Sequence, residues 1–171
     1  MQNENRSYIV LDTETTGFFY AGGDEIIELA AERIIGRKVV DTFHAFIRPS
    51  IPVPASATAI HGLTDVFLEE HGVDGFAVFK EFVQFAEKGI LVGHNIRRFD
   101  YPFLQHHFGL YGFITEQHQL VDTLDLARKQ LRLPNYKLGT IATHFGLDIT
   151  GAHRADKDVE ITREVFLRLT K

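Results

Sequence analysis

The chain has no cysteine, which excludes a disulfide framework, a thiolate metal site and a catalytic thiol at once. Any metal must then sit on oxygen or imidazole. No apolar run approaches the roughly 18 residues needed to cross a bilayer. The opening stretch from Met1 to Arg6 is polar, and the expectation is a cytoplasmic protein with no membrane partner. An excess of basic charge is missing too, since 18 Lys and Arg stand against 23 Asp and Glu, a formal net charge of −5. That balance argues against a protein that coats nucleic acid non-specifically, because such binding draws on clustered cations that release counterions. It leaves room for a narrower contact, since Arg97, Arg98, Arg128, Lys137, Arg154 and Lys157 all fall in the second half. Internal repeats and low-complexity tracts are absent as well.

What is present is a chain of 171 residues with 44% hydrophobic side chains, enough for one domain with a proper core. Tyr8 to Leu11 is an unbroken apolar run, the pattern of a strand buried on both faces and central in its sheet. Two further strands, Glu25 to Ile35 and Lys38 to Ile47, flank Gly36-Arg37, where glycine suits a tight hairpin. In the first of these, Ile27, Leu29, Ala31 and Ile35 alternate with Glu28, Glu32 and Ile34, which predicts one mostly apolar face. The prolines between Arg48 and Pro54 end the ladder, and helices take over. Ser56 and Thr64 are expected as caps, Gly62 as a stop, and Phe76, Phe79, Val83 and Ala86 keep helical spacing. After a short strand over Ile90 to Val92, helices are expected around Phe103 to Phe108, Leu124 to Leu131, Leu138 to Phe145 and Val159 to Leu169. Antiparallel strands followed by strands alternating with helices predict an α/β fold with a mixed sheet covered by helices.

Three segments carry candidate chemistry. In Leu11-Asp12-Thr13-Glu14-Thr15-Thr16-Gly17, a buried strand runs into two acids one residue apart. On a strand, positions i and i+2 share a face, so the two carboxylates repel unless a cation or a proton lies between them. The alternative is that Asp12 and Glu14 open a turn. In Gly93-His94-Asn95-Ile96-Arg97-Arg98-Phe99-Asp100, Asp100 is either a site acid or the N-cap of a helix that begins near Pro102. His94 and Asn95 fit the turn as polar groups equally well. In His153-Arg154-Ala155-Asp156-Lys157-Asp158, the acids have an inexpensive explanation in the helix dipole. His153, just before the helix, does not.

Together these segments resemble the motifs of the proofreading-type exonuclease family whose signature is four acids and a histidine, written DEDDh. Asp12 and Glu14 match its opening Asp-x-Glu, Asn95 with Phe99-Asp100 its second motif, and His153 to Asp158 its closing His-x-Ala-x-x-Asp. Ile60-His61-Gly62-Leu63-Thr64 resembles the family's nucleotide-side loop, and Asp122-Thr123-Leu124 the approach to a family helix. The nearest patterns are those of the epsilon subunit of bacterial DNA polymerase III and of the exonuclease domain of the Gram-positive polymerase. Between Asn95 and Phe99 this chain has Ile96, Arg97 and Arg98, one residue more than the epsilon-type motif, which should alter the loop more than Asp100.

The resemblance implies a ribonuclease H-like fold with a mixed five-stranded sheet, one exonuclease domain over residues 1–171, and two divalent cations, Mg²⁺ or Mn²⁺. It implies that Asp12 bridges both ions, that Glu14 and Asp158 complete the site of the attacking water, and that Asp100 supports the second ion. His153 would take the water's proton. Ile60 and His61 would pack on the terminal nucleotide, backbone near Thr15 and Gly17 would meet its 3′ end, and Phe99 would stack on a base or simply join the core. Arg97, Arg98 and Lys157 are expected near phosphates. The expected activity is 3′–5′ hydrolysis of single-stranded DNA to nucleoside monophosphates in proofreading or repair, with a DNA polymerase subunit as a possible partner. An exoribonuclease or oligoribonuclease shares the same acids, and a ribonuclease H-like endonuclease would differ in ignoring a blocked 3′ end. A non-catalytic binding module would be expected to lose an acid or the histidine, and none is missing.

Overall fold

The apolar run near the start of the chain forms the middle strand because neither of its faces offers a polar group to water. A computed structural model gives the structure and describes residues 6–115 and 117–171; residues 1–5 of the polar opening stretch, and Glu116, lie outside the described residues. Strand β1 (Ser7–Thr15) pairs antiparallel with β2 (Ile26–Ile35) and parallel with β4 (Ile90–Gly93). Strands β3 (Lys38–Phe46) and β5 (Leu120–Asp122) close the edges, so the mixed five-stranded sheet runs β3-β2-β1-β4-β5. Ile9, Val10 and Leu11 are completely buried. The strand does not end at Leu11 as its apolar content suggests. Asp12 and Glu14 stay in the ladder opposite Ala30 and Glu28, so both carboxylates leave the same side of a rigid element.

Helices α1 (Ala55–His61) and α2 (Asp65–His71) follow the sheet's first three strands. Next come α3 (Gly75–Ala86) and, after β4, α4 (Asp100–Leu110). Helices α5 (Thr123–Gln130), α6 (Leu138–His144) and α7 (Ala155–Leu169) complete the chain. One core unites Ile9, Leu11 and Leu29 of the sheet with Phe79 and Phe82 of α3 and Phe103 and Leu104 of α4. The opposite face, with Val10, Ala30 and Val92, packs on Val159 and Phe166 of α7. Helices α5 and α6 back that helix through Ala127, Ile141, Ile161 and Val165. Among the described residues no helix is long and apolar enough to cross a membrane.

Several local expectations need correction. The shared apolar face of β2 holds for Leu29 and Ala31 only. The ladder skips Ile27, pairing Glu14 with Glu28 and Thr15 with Ile26, so the bulge sends Ile27 into a separate cluster with Val53, Leu63 and Leu68. Ile34 is buried against the α7 side, whereas Ile35 is exposed beside the hairpin. Ser56 does not cap α1, whose N-cap position is Pro54 with no side-chain bond, because the extended backbone of Pro54 already starts the helix. Thr64 does cap α2, its hydroxyl accepting from the Phe67 N–H at 3.2 Å, and Gly62 ends α1 in the left-handed region at φ 77°. Gly36 and Arg37 both have positive φ, 54° and 70°, as a two-residue type I′ hairpin requires. The short strand β5 and a turn of 3-10 helix over Tyr20–Gly22 carry no periodic signal, being three residues each.

Phe82 has no exposed surface and lies with its ring centroid 5.4 Å from that of Phe43 and 6.5 Å from that of Phe108. We expect Phe82→Ala to destabilise the fold by about 3–5 kcal/mol, read as a lower urea midpoint at unchanged slope. A midpoint equal to that of the parent protein would contradict this packing.

Candidate active site

The two acids of β1 meet an acid from the far end of the chain. Asp158 lies in the first turn of α7, and one carboxylate oxygen each from Asp12, Glu14 and Asp158 lies within 4.8 Å of the other two. Asp100 is not part of that triple but stands beside it, close enough to raise the proton affinity of both Asp12 and Glu14. It is also not an N-cap. Phe99 occupies the cap position, while Asp100, 2% exposed, accepts from the Thr13 N–H at 3.1 Å and the Thr13 hydroxyl at 2.8 Å. This bond reaches across 87 residues and ties the start of α4 to β1.

Burial and mutual repulsion push these acids toward their protonated forms. Asp12 is held well above the usual carboxylate range, first by burial, then by Asp100, Asp158, Glu14 and Glu28. Glu14 is pushed up to about 8 by burial, then by Asp158, Glu28 and Asp100, with Arg154 pulling the other way. Asp100 is raised to about 6, because burial outweighs its bonds from Thr13. Asp158 is raised by burial as well, against the opposing bond from the His153 N–H at 3.3 Å. Such a cluster ionises fully only with compensating cations. Its donors are all carboxylate oxygens, the set that hard divalent cations prefer. The residues therefore fit a metal site.

His153 sits beside this cluster on an exposed turn with φ 69°. His153 and Asp158 line an open groove of about 530 Å³ together with Lys137, Thr140, Ile149 and Ala152. Arg154, the next residue, forks onto Glu28, with Nε to Oε2 and Nη2 to Oε1 both at 3.2 Å. Glu28 is completely buried, also accepts from His44 Nε2 at 2.8 Å, and is held below its ordinary pKa by those partners in spite of its burial. Glu28, His44 and Asp156 form a second group that could hold an ion, but the Arg154 guanidinium already neutralises Glu28 there. In the sequence Glu28 is only one of the residues that alternate with the apolar side chains of β2. The register that places it opposite Glu14 would have revealed it, and that register is not visible in local periodicity.

The remaining candidates are placed as follows. The Thr15 hydroxyl donates to the Gly17 carbonyl, and Asp24 holds the loop by accepting from the Thr16 hydroxyl at 3.0 Å and the Phe19 N–H at 2.9 Å. Gly17 is needed because a Cβ there would strike the Asp24 carboxylate. Ile60 is half exposed, whereas His61 is buried with Nδ1 accepting from the Leu63 N–H at 3.0 Å. Burial lowers its pKa, and Nε2 points toward the Thr15 carbonyl without closing a well-formed hydrogen bond. Asn95 takes a left-handed backbone at φ 65°, and its N–H donates to Asp122 at 2.9 Å. Asp122 also accepts from the N–H groups of Arg97 and Leu124, at 3.3 and 3.0 Å, so a residue noted only as preceding a helix organises this loop. Phe99 is half-buried, with its ring centroid 5.2 Å from that of Phe103 and 6.1 Å from that of Phe18, which is 80% exposed. Two of the three expected phosphate contacts are engaged elsewhere. Arg97 donates to the Leu120 carbonyl at 2.6 Å, and Lys157 pairs with Glu160 at 3.2 Å, while Arg98 is exposed. The extra residue leaves Asp100 on Thr13 and is absorbed in a turn whose Arg98 and Phe99 N–H groups both donate to the Asn95 carbonyl at 3.1 Å.

Comparison with known proteins gives a consistent result. A family model described as exonuclease matches residues 9–166. The DNA polymerase III PolC-type protein of Bacillus subtilis is 35% identical over 170 residues, covering 98% of this chain and 12% of that protein. A DNA polymerase III subunit epsilon-like protein of Rhodobacter capsulatus is 36% identical over 168 residues, covering 95% of this chain and 23% of that protein. The chain thus spans between about a tenth and a quarter of the length of the curated relatives it matches. In fold it is similar to E. coli exonuclease I in complex with a dT13 oligonucleotide. The TM-score is 0.84 at 19% identity, over 97% of this chain and 41% of that one.

The raised carboxylates make the metal-free fold sensitive to pH. A group with a higher pKa in the folded than in the unfolded state binds more protons when folded, so stability falls as pH rises between the two values. For Glu14 that window runs from about 4.5 to about 8 and for Asp100 from about 4 to about 6. We expect the melting temperature of chelator-treated protein to fall steadily from pH 4.5 to pH 8, and Glu14→Gln to flatten the upper part of that decline. A profile that rises over this range would refute the electrostatics described here.

Proposed function

The chain belongs to the exonuclease family, and on that premise we propose that it is a metal-dependent 3′–5′ exonuclease that removes nucleoside monophosphates from single-stranded DNA. The observation that carries the reading is the meeting of Asp12, Glu14 and Asp158 oxygens within 4.8 Å, with Asp100 adjacent and His153 at the groove. In this reading Asp12, Glu14, Asp100 and Asp158 would hold two divalent cations, Mg²⁺ or Mn²⁺. When bound, such ions neutralise the phosphodiester, lower the pKa of water and stabilise the departing 3′ oxygen.

The chain's own side chains do the rest. His153 is exposed and lines the groove beside Asp158, where its imidazole accepts the proton of the attacking water. Half-exposed Ile60 and the backbone around Thr15 and Gly17 receive the terminal nucleotide and its 3′ end, with the adjacent His61 buried and holding the turn through the Leu63 N–H. Asn95 shapes the loop that delivers Asp100, and Phe99 with Phe18 offers an aromatic surface on which bases of any identity stack. Residues 1–171 act as one exonuclease unit in this reading. Single strands as substrate are supported by the fold neighbour that holds dT13, and association with a DNA polymerase by relatives named as polymerase III proteins.

Digestion of 5′-labelled single strands with Mg²⁺ or Mn²⁺ should give a ladder that shortens from the 3′ end. A blocked 3′ end should stop it, and RNA of the same sequence should be cut more slowly. Asp12→Ala should abolish hydrolysis, and His153→Ala should lower turnover by about 10²–10⁴-fold. Cleavage of circular DNA, or near-normal rates in both variants, would overturn the assignment.

A further inference from the structure

The turn that carries His153 is poorly held by its own backbone. Between α6 and α7 it has Gly151 at φ 83° and His153 at φ 69°, the latter a conformation that a side-chain-bearing residue rarely adopts. Its local bonds are few: Ala152 N–H to the Ile149 carbonyl at 3.1 Å, Thr150 N–H to Asp148 at 2.9 Å, and His153 N–H to Asp158 at 3.3 Å. A backbone held in a sparsely populated region persists only when its surroundings over-determine it.

The surroundings that do so lie one residue further on. Arg154 closes a two-bond fork on Glu28, and the Ala155 N–H donates to the same carboxylate at 3.4 Å. The guanidinium also lies over the Phe46 ring, 5.3 Å from its centroid, and His44 holds Glu28 from the other side. Glu28 in turn is opposite Glu14 in the β1–β2 ladder. The residue after His153 is therefore fastened to the strand beside the one that carries Asp12 and Glu14, through one buried carboxylate.

We infer that Arg154 and Glu28 are positioning residues that hold the His153 imidazole in place over the acidic cluster. The inference rests on the reading of His153 as proton acceptor. The fork is not required to dock α7, which the Arg163–Glu32 pair at 2.7 Å and the cores around Phe166 and Val165 already fasten to the sheet and its neighbours. Its loss should loosen the turn and leave the helix in place.

The test compares kcat and KM on a labelled single strand for the parent, His153→Ala, Arg154→Ala and the double variant, with Glu28→Gln as a second break in the fork. Misplacement of a reacting group by about 1 Å lowers rates by about 10²-fold, so Arg154→Ala and Glu28→Gln should each reduce kcat by about that factor while KM changes little. In the His153→Ala background the same changes should add less than about twofold, since residues acting through one group are non-additive. Full additivity, or an unchanged kcat in both fork variants, would overturn the inference. Amide hydrogen exchange gives a readout independent of turnover: in both variants exchange at His153 and Ala155 should accelerate, with the α7 interior unchanged. If His153→Ala itself leaves kcat intact, the catalytic reading fails, and unaltered exchange at those two amides would sink the positioning role separately.

Discussion

Mutual repulsion of partly and fully buried carboxylates is the constraint on which the rest of this structure depends. Asp12, Glu14 and Asp158 bring oxygens within 4.8 Å of one another, and the charges of Asp100 and Glu28 act on both Asp12 and Glu14. Nothing about such a cluster is self-supporting, since burial and like charge both favour the neutral acid. It survives because each member is carried by an element with its own apolar attachment. β1 is sealed between the α3–α4 core and the α7 core, Asp100 begins the helix that brings Phe103 and Leu104 to the first, and Asp158 belongs to the helix that carries Phe166 into the second. Hydrophobic burial on two faces of one strand thus offsets an unfavourable charge arrangement, one that the proposed cations would relieve.

How much of this was legible in the sequence follows from the range of the interaction behind each feature. The i, i+2 spacing of Asp12 and Glu14, the apolar run before them, the hairpin at Gly36-Arg37 and the cap at Thr64 are local, and local pattern found them. Features set by pairing over long separations were not. The Thr13 hydroxyl and Asp100 are 87 residues apart, so a residue that reads as an N-cap turns out to be a cross-link. Arg154 and Glu28 are 126 apart, so a glutamate that reads only as part of the alternation in β2 is the most buried charge near the site. Ile27 shows the same limit in the core. Its strand periodicity is correct, and one bulge reverses its direction.

Arg154 gives the charge arrangement its asymmetry. Glu28 has hydrogen bonds from an arginine, a histidine and a backbone N–H, and its carboxylate is held below its ordinary pKa; Glu14, its partner across the ladder, has no such bonds and is pushed the other way despite the charge of Arg154. Two glutamates facing each other on adjacent strands are thereby separated into an anchor neutralised within the protein and an acid that lacks such a partner.

The same distinction sorts the other acids around the groove. Asp122 accepts three backbone N–H groups, and Asp24 accepts a backbone N–H and a hydroxyl. Each serves as the hub of a loop, and its lone pairs are spent on the fold. Among the described residues no hydrogen bond to the carboxylates of Asp12 or Glu14 is formed, and both side chains are only partly buried. Their lone pairs are not spent on the fold and remain open to solvent or to a ligand. Asp100 lies between the two kinds: Thr13 donates twice to one of its oxygens, yet burial outweighs those bonds and raises its pKa to about 6. Asp24 and Asp122, rich in donors, hold loops of the fold, whereas Asp12 and Glu14, without them, are the acids whose charge the proposed cations would have to compensate.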